Sequence, residues 1–162
     1  MDKEKLNDFR NNRKCVRAKS TKTNYTIYGA IDDLWLNKVN GEVVVVDYKA
    51  TSNKYGIDYV NSTMGYHKAY LRQLDFYAYL LKLNKFKVFK TGYWFVCNAQ
   101  YKDQKTFSAS LNFKIDLLSY DVNTDYIENT LVELEKCYNG NKIPLPSSTC
   151  DTCRWQKETS KL

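Results

Sequence analysis

An aspartate and a lysine two residues apart, Asp47 and Lys49, follow four consecutive valines at positions 43–46. Valine is stiff at χ1 and packs well on a pleated surface, so residues 42–51 read as a core strand. Side chains alternate across a strand. Asp47 and Lys49 therefore leave the end of that strand on one face, while Tyr48 points the other way with Val44 and Val46. A carboxylate beside an ammonium is either a simple ion pair or the start of a site for a hard cation and an anionic substrate. A second acid decides between these readings. Asn40-Gly41 tolerates positive φ at both residues and is a strong hairpin signal. A turn there lays the segment around Asp32 beside the segment around Asp47. Of the neighbours Asp32 and Asp33, only one can share a face with Asp47; strand parity selects Asp32 and sends Asp33 to the opposite face.

The remaining chemistry-bearing residues are sulfurs. Cys150 and Cys153 have the Cys-x-x-Cys spacing with which two thiolates reach one metal ion. Cys15 and Cys137 are the other candidates for a four-thiolate site, and Cys97 reads as a small core residue within a strand. Free thiols in a loose tail are the alternative. His67, the only histidine, opens a helix at a position that reads as exposed. No nucleophile motif accompanies it, so a histidine-based triad is not expected.

These residues need elements to hold them. A basic, thinly apolar segment over 1–18 has a helix in its first half, and Arg10, Arg13, Lys14, Arg17, Lys19 and Lys22 make it the most basic part of the chain. Residues 23–37 read as one long strand that pairs antiparallel with 42–50 across the Asn40-Gly41 turn. Residues 52–65 form a polar loop at the mouth of the site. Tyr70, Leu71, Leu74, Tyr77, Ala78 and Leu81 recur at helical spacing, which predicts a helix over 66–83 with Gln73 and Tyr77 on one face. Strands follow over 86–98 and 105–117, then a helix over 125–138 ended by Asn139-Gly140.

The chain has 162 residues, enough for a single domain with one sizeable core, and its 43% hydrophobic and 15% aromatic content is that of a folded protein. No run is apolar enough to span a membrane and no signal-peptide core is present, so a cytoplasmic protein is expected. In a reducing compartment, five cysteines point to metal binding more than to disulfides. The net charge of +7 favours an anionic partner, for which nucleic acid is the common case.

Three short motifs in order, Gly29-Ala30-Ile31-Asp32, Asp47-Tyr48-Lys49 and Gln73-Leu74-Asp75-Phe76-Tyr77, resemble the Gly-x-x-Asp strand, Asp/Glu-x-Lys strand and Gln-x-x-x-Tyr helix of the PD-(D/E)XK nuclease superfamily in its RecB-like branch. The resemblance is strong over 25–83. The tail, with Pro144, Cys150 and Cys153, is similar to the CRISPR-associated and AddB-type members that carry a cysteine-bound iron–sulfur cluster. It implies a restriction-endonuclease-like α/β fold of the αβββαβ type, a mixed central sheet flanked by helices, spanning 1–162 as one domain. It implies metal-dependent DNA cleavage, exonucleolytic or end-processing, with a protein partner in a DNA-processing complex. Asp32, Asp47 and the main-chain carbonyl of Tyr48 would hold Mg²⁺ or Mn²⁺ through hard oxygens. Lys49 would orient the attacking water or neutralise the phosphate. Gln73 and Tyr77 would brace the site and contact the DNA strand. Cys15, Cys137, Cys150 and Cys153 would hold a [4Fe–4S] cluster or Zn²⁺.

The branch usually carries an acid or histidine on a helix before the Gly-x-x-Asp strand. Here no histidine precedes Gly29, and Glu4 or Asp8 would take that place. The competing readings are a nuclease-derived DNA-binding or assembly module with little catalysis, and a metal-bound structural protein in which Asp47 and Lys49 only pair with each other.

Overall fold

The computed structural model describes residues 3–52, 65–100, 106 and 109–160. Its elements are α1 (Lys3–Arg10), β1 (Val16–Lys19), β2 (Thr26–Gly29), β3 (Asp33–Leu36), β4 (Val43–Thr51), α2 (Gly65–Leu83), β5 (Thr91–Ala99), β6 (Phe113–Asp121), α3 (Ile127–Tyr138) and α4 (Asp151–Thr159). Four strands form a mixed sheet in the order β3-β4-β5-β6, and β1 and β2 form a separate antiparallel ribbon. The whole is a mixed α/β fold with a four-stranded sheet flanked by helices, the restriction-endonuclease-like arrangement.

The valine run lies at the centre of this sheet because both faces of β4 are covered there. Val43, Val44, Val45 and Val46 are all buried. β4 pairs antiparallel with β3, in the register Asp33↔Val46 to Leu36↔Val43, and parallel with β5, in the register Val46↔Tyr93 to Thr51↔Asn98. Parallel neighbours require a crossover; α2 is the helix of that crossover and lies over β4 and β5. Its Leu74, Ala78, Leu80 and Leu81 are fully buried in one cluster with Val43, Val45, Trp94 and Val96. On the other face of the sheet, Trp35 stacks on Tyr93 and Tyr48 meets the Phe95 ring edge-on.

The turn forms at Asn40-Gly41, but with positive φ at Gly41 only, in a loop closed from Asn37 to Glu42. Gly41 adopts φ +71°, Asn37 N–H donates to the Glu42 carbonyl at 2.9 Å, and Asn40 Oδ1 accepts from Glu42 N–H at 3.0 Å. The strand entering the turn differs from the expected one. Residues 23–37 are two strands that belong to two sheets. β2 pairs with β1, a strand not foreseen, through Val16↔Gly29 to Lys19↔Thr26. The break falls at residues 30–32, where Ile31 N–H donates to Phe9 O of α1 at 3.0 Å. There the aspartate side chains take backbone donors that a ladder would otherwise use: Asp32 Oδ2 accepts from Tyr48 N–H and Asp33 Oδ1 from Leu34 N–H.

Three other expectations shift. The strand expected over 86–98 begins at Thr91, Val88 contributing only an isolated parallel bridge to Val43. The strand expected over 105–117 lies at 113–121, paired in full with β5 from Thr91↔Asp121 to Ala99↔Phe113. α4 was not expected; it has no buried residue, so no apolar periodicity announced it. The loop expected over 52–65 falls, apart from its ends, outside the described residues. Among the described residues no helix is long and apolar enough to cross a membrane.

Candidate active site

Asp47 and Lys49 occupy the end of β4 on the face turned toward α2. Lys49 Nζ lies 2.5 Å from Asp47 Oδ2 and donates to Gln73 Oε1 of α2 at 2.9 Å. Gln73 Nε2 in turn donates to the Tyr77 hydroxyl at 2.9 Å. The Lys49 ammonium also sits 4.5 Å from the centre of the Tyr70 ring. Positions 70, 73 and 77 share one face of α2, so a single helix holds the lysine through Tyr70 and Gln73 and steadies Gln73 with Tyr77. Tyr70 had been read only as part of the apolar periodicity.

Asp47 is wholly buried, and apart from the Lys49 ammonium neither of its oxygens has a hydrogen-bond donor among the described residues. A buried carboxylate in that state is costly. Burial pushes its pKa up to about 6; the Lys49 ammonium pulls it down, and the nearby Asp32 carboxylate pushes it up again. Asp32 is exposed and sits in the bend before β3. Its carboxylate is held over β4 by the Tyr48 N–H at 2.9 Å. Asp33 faces away, pairing with Arg10 and accepting from the Tyr48 hydroxyl at 2.6 Å. Arg10 Nε also donates to the Asp32 carbonyl at 2.8 Å. Arg10 thus fixes the bend that presents Asp32, whereas the sequence placed it only among the basic residues of the first segment. No local spacing could have shown it, because Arg10 and Asp32 are 22 residues apart.

The glycine of the first motif has a steric cause. A Cβ on Gly29 would lie 2.9 Å from Cε1 of Tyr77, whose ring is buried. Gly29→Ala is therefore expected to displace Tyr77, weaken its bond to Gln73 and cost about 1–3 kcal/mol of stability. Thermal unfolding checks this, and an unchanged melting temperature would contradict it.

The donor set suits a divalent cation. Asp47 supplies two buried oxygens whose one donor is the Lys49 ammonium, Asp32 adds a solvent-facing carboxylate, and both are hard ligands. Among the described residues no three His, Cys, Asp or Glu side chains cluster around one point. Two carboxylates with water and substrate oxygens completing the shell is the pattern of Mg²⁺ rather than of an all-protein cage. Tyr77 is mostly buried, so it braces Gln73 from within. Asp8, considered as an upstream ligand, pairs with Lys14 at 2.6 Å. His67, expected to be exposed, is buried 5.8 Å from the Tyr70 ring.

The four cysteines expected to share a site do not come together. Cys15 is buried, Cys137 is exposed on α3, and no three of the thiols group at one point. Only Cys150 and Cys153 meet: Cys150 caps α4, its sulfur accepting from Cys153 N–H at 3.4 Å. That bond and the α4 backbone lower the Cys150 pKa, the thiolate-favouring effect of a helix start. Cys97 is half-buried rather than deep in the core.

With the sheet, the crossover helix and the acid–lysine pair in place, sequence comparison agrees. The family profile of the PD-(D/E)XK nuclease superfamily matches residues 3–157, and the chain belongs to that superfamily. Membership makes it one of a group of metal-dependent nucleases. No curated protein and no solved structure gave a match.

Proposed function

We propose that this chain is a Mg²⁺- or Mn²⁺-dependent deoxyribonuclease of the RecB-like type, acting as an exonuclease or end-processing enzyme, with residues 1–162 as its nuclease domain. The observation that carries the proposal is Asp47: a fully buried carboxylate whose oxygens have no donor other than the Lys49 ammonium, beside a second carboxylate. A structural ion pair does not require either the second acid or oxygens so short of donors. The RecB-like assignment rests on Gly29, Asp32, Asp47, Lys49, Gln73 and Tyr77 falling in that branch's order. DNA as substrate is supported by the +7 charge and by Arg13 and Arg17 in the basic segment that Arg10 joins to the Asp32 bend.

Asp32 and Asp47 would hold the cation, with the Tyr48 carbonyl as a third oxygen. When bound, the cation supplies Lewis-acid activation of a water and neutralises charge on the phosphate. Lys49, fixed by Gln73 and Tyr70, places its ammonium where a phosphate oxygen or the attacking water meets Asp47. Held rigidly beforehand, it needs no reorganisation as charge develops. Burial of Asp47 would keep competing water away from a cation held there.

A cleavage assay on single- and double-stranded DNA, with Mn²⁺ and with chelator, tests the proposal. Cleavage is expected only with metal. Lys49→Met is expected to lower kcat by about 10²–10³-fold, the usual loss of one preorganised electrostatic group. Its Mn²⁺ affinity should be unchanged or tighter, because a competing cation has left Asp47. A Lys49→Met protein that cleaves at the parent rate would remove the lysine from the mechanism.

A further inference from the structure

Beside the active site, α2 and α3 leave an open groove of about 340 Å³. Phe76, Tyr126, Thr130 and Leu131 line it, Ile127 lies at its base, and its walls are apolar. Two features join it to the chemistry. Gln73, which holds the Lys49 ammonium, is also part of the groove wall. Arg72, the next residue, is exposed at the rim and forms no ion pair with a described residue. The groove therefore presents flat aromatic and aliphatic surface inside, an exposed guanidinium with no ion-pair partner among the described residues at its edge, and a side chain shared with the site where a phosphate would be cut.

That combination fits one nucleotide: a ring system that stacks on Phe76 and Tyr126, with its phosphate toward Arg72 and Lys49. Apolar walls exclude the phosphate itself, and about 340 Å³ is room for one base rather than a stacked pair of them. We infer that the groove between α2 and α3 takes the unpaired nucleobase adjoining the scissile phosphate, so that the enzyme works on single-stranded or frayed DNA. The inference rests on the nuclease reading above and adds the strand state of the substrate. Stacking on aromatic side chains is tolerant of sequence, so discrimination is between base and no base rather than among bases. Tyr126 is rigid enough for the task, since its hydroxyl is anchored to Asp75 Oδ2 at 3.0 Å.

The test compares an oligothymidylate with an oligomer of the same length built of abasic units. The parent protein with Mn²⁺ is expected to show a KM about tenfold or more lower for the oligothymidylate, the share of binding that base stacking supplies. Thr130→Trp fills the groove from the exposed side of α3 and should bring the ratio of the two KM values close to one. A second readout needs no cleavage: an oligonucleotide containing 2-aminopurine, added to metal-free parent protein, should be quenched on binding, and less so with Thr130→Trp. Equal KM values for the two oligomers in the parent, or a full ratio retained in Thr130→Trp, would overturn the groove assignment. Absence of cleavage of either oligomer with Mn²⁺, while the groove-dependent quenching persists, would instead overturn the nuclease reading and leave the groove as a base-binding site.

Discussion

Asp47→Asn is expected to abolish metal-dependent cleavage and, at the same time, to stabilise the metal-free protein. The first effect follows from losing the buried cation ligand, whose charge stabilisation is worth several kcal/mol in the transition state, or about 10³-fold or more in rate. The second follows from burial. The folded protein holds the Asp47 proton until about pH 6, while an ordinary aspartate gives it up near 3.8. Between those values the folded state binds more protons than the unfolded one. Stability contributed by this group is therefore present at low pH and lost as pH rises through about 6. The gap between 3.8 and about 6 corresponds to on the order of 3 kcal/mol. Asparagine carries no charge to desolvate, so the variant escapes that loss, less what Lys49 gives up with its partner. Denaturant unfolding in chelator at pH 4 and pH 8 measures this. The parent should lose stability between the two and the variant should not. A variant that is inactive and also strongly destabilised at pH 8 would mean that Asp47 is a structural ion pair.

Glu128→Ala should produce a large loss of stability. The Glu128 carboxylate accepts from Ser20 Oγ at 2.7 Å, Thr21 N–H at 2.9 Å and Lys22 N–H at 3.1 Å, and it also accepts from the Tyr79 hydroxyl. One side chain on α3 thus ties down the turn between β1 and β2 and the back of α2. Burial pushes its pKa up, but the hydrogen bonds from Tyr79, Thr21, Ser20 and Lys22 outweigh burial and hold it at about 2. The same contact pushes the Tyr79 hydroxyl up to about 12, burial being the larger cause. Hydrogen bonds to a charged acceptor are worth more than neutral ones, so removing four is expected to cost about 2–4 kcal/mol. Here the folded pKa lies below the ordinary value of 4.5. The contribution is complete above pH 4.5 and disappears as pH falls toward 2. Urea unfolding should show parent and Glu128→Ala converging at low pH and diverging above pH 5. A constant difference at all pH values would place the loss in packing instead.

These two carboxylates are displaced in opposite directions for one physical reason: the donors around them. Glu128 has four and stays charged; Asp47, buried and with no donor apart from Lys49, holds its proton up to about pH 6. A buried acid so short of donors is the one that a cation can satisfy.

The parts of the fold that rest on local rules were legible in the sequence. The valine run, the Asn40-Gly41 turn and the periodicity of α2 each carry their own signal. Strand parity alone separates Asp32 from Asp33. What was not legible depends on contacts between distant segments. Residues 26–36 have strand composition throughout, and only the bond from Ile31 N–H to Phe9 O and the capture of Tyr48 N–H by Asp32 show why they divide between two sheets. The Glu128 clasp spans more than a hundred residues and the Arg10 anchor more than twenty. The cysteine tail misled for the opposite reason: the Cys150–Cys153 spacing is local and real, but it says nothing of where Cys15 and Cys137 lie. The steric need for Gly29 was visible as a motif and received its cause only from the Tyr77 ring.

The central claim is that Asp32 and Asp47 hold one divalent cation. Crystals grown with Mn²⁺, with diffraction data collected at the manganese absorption edge, test it most directly. The account predicts one anomalous peak touching both the Asp32 and the Asp47 carboxylates, next to the Lys49 ammonium. Manganese bound elsewhere, with those carboxylates vacant in a protein that still cleaves DNA, would contradict it.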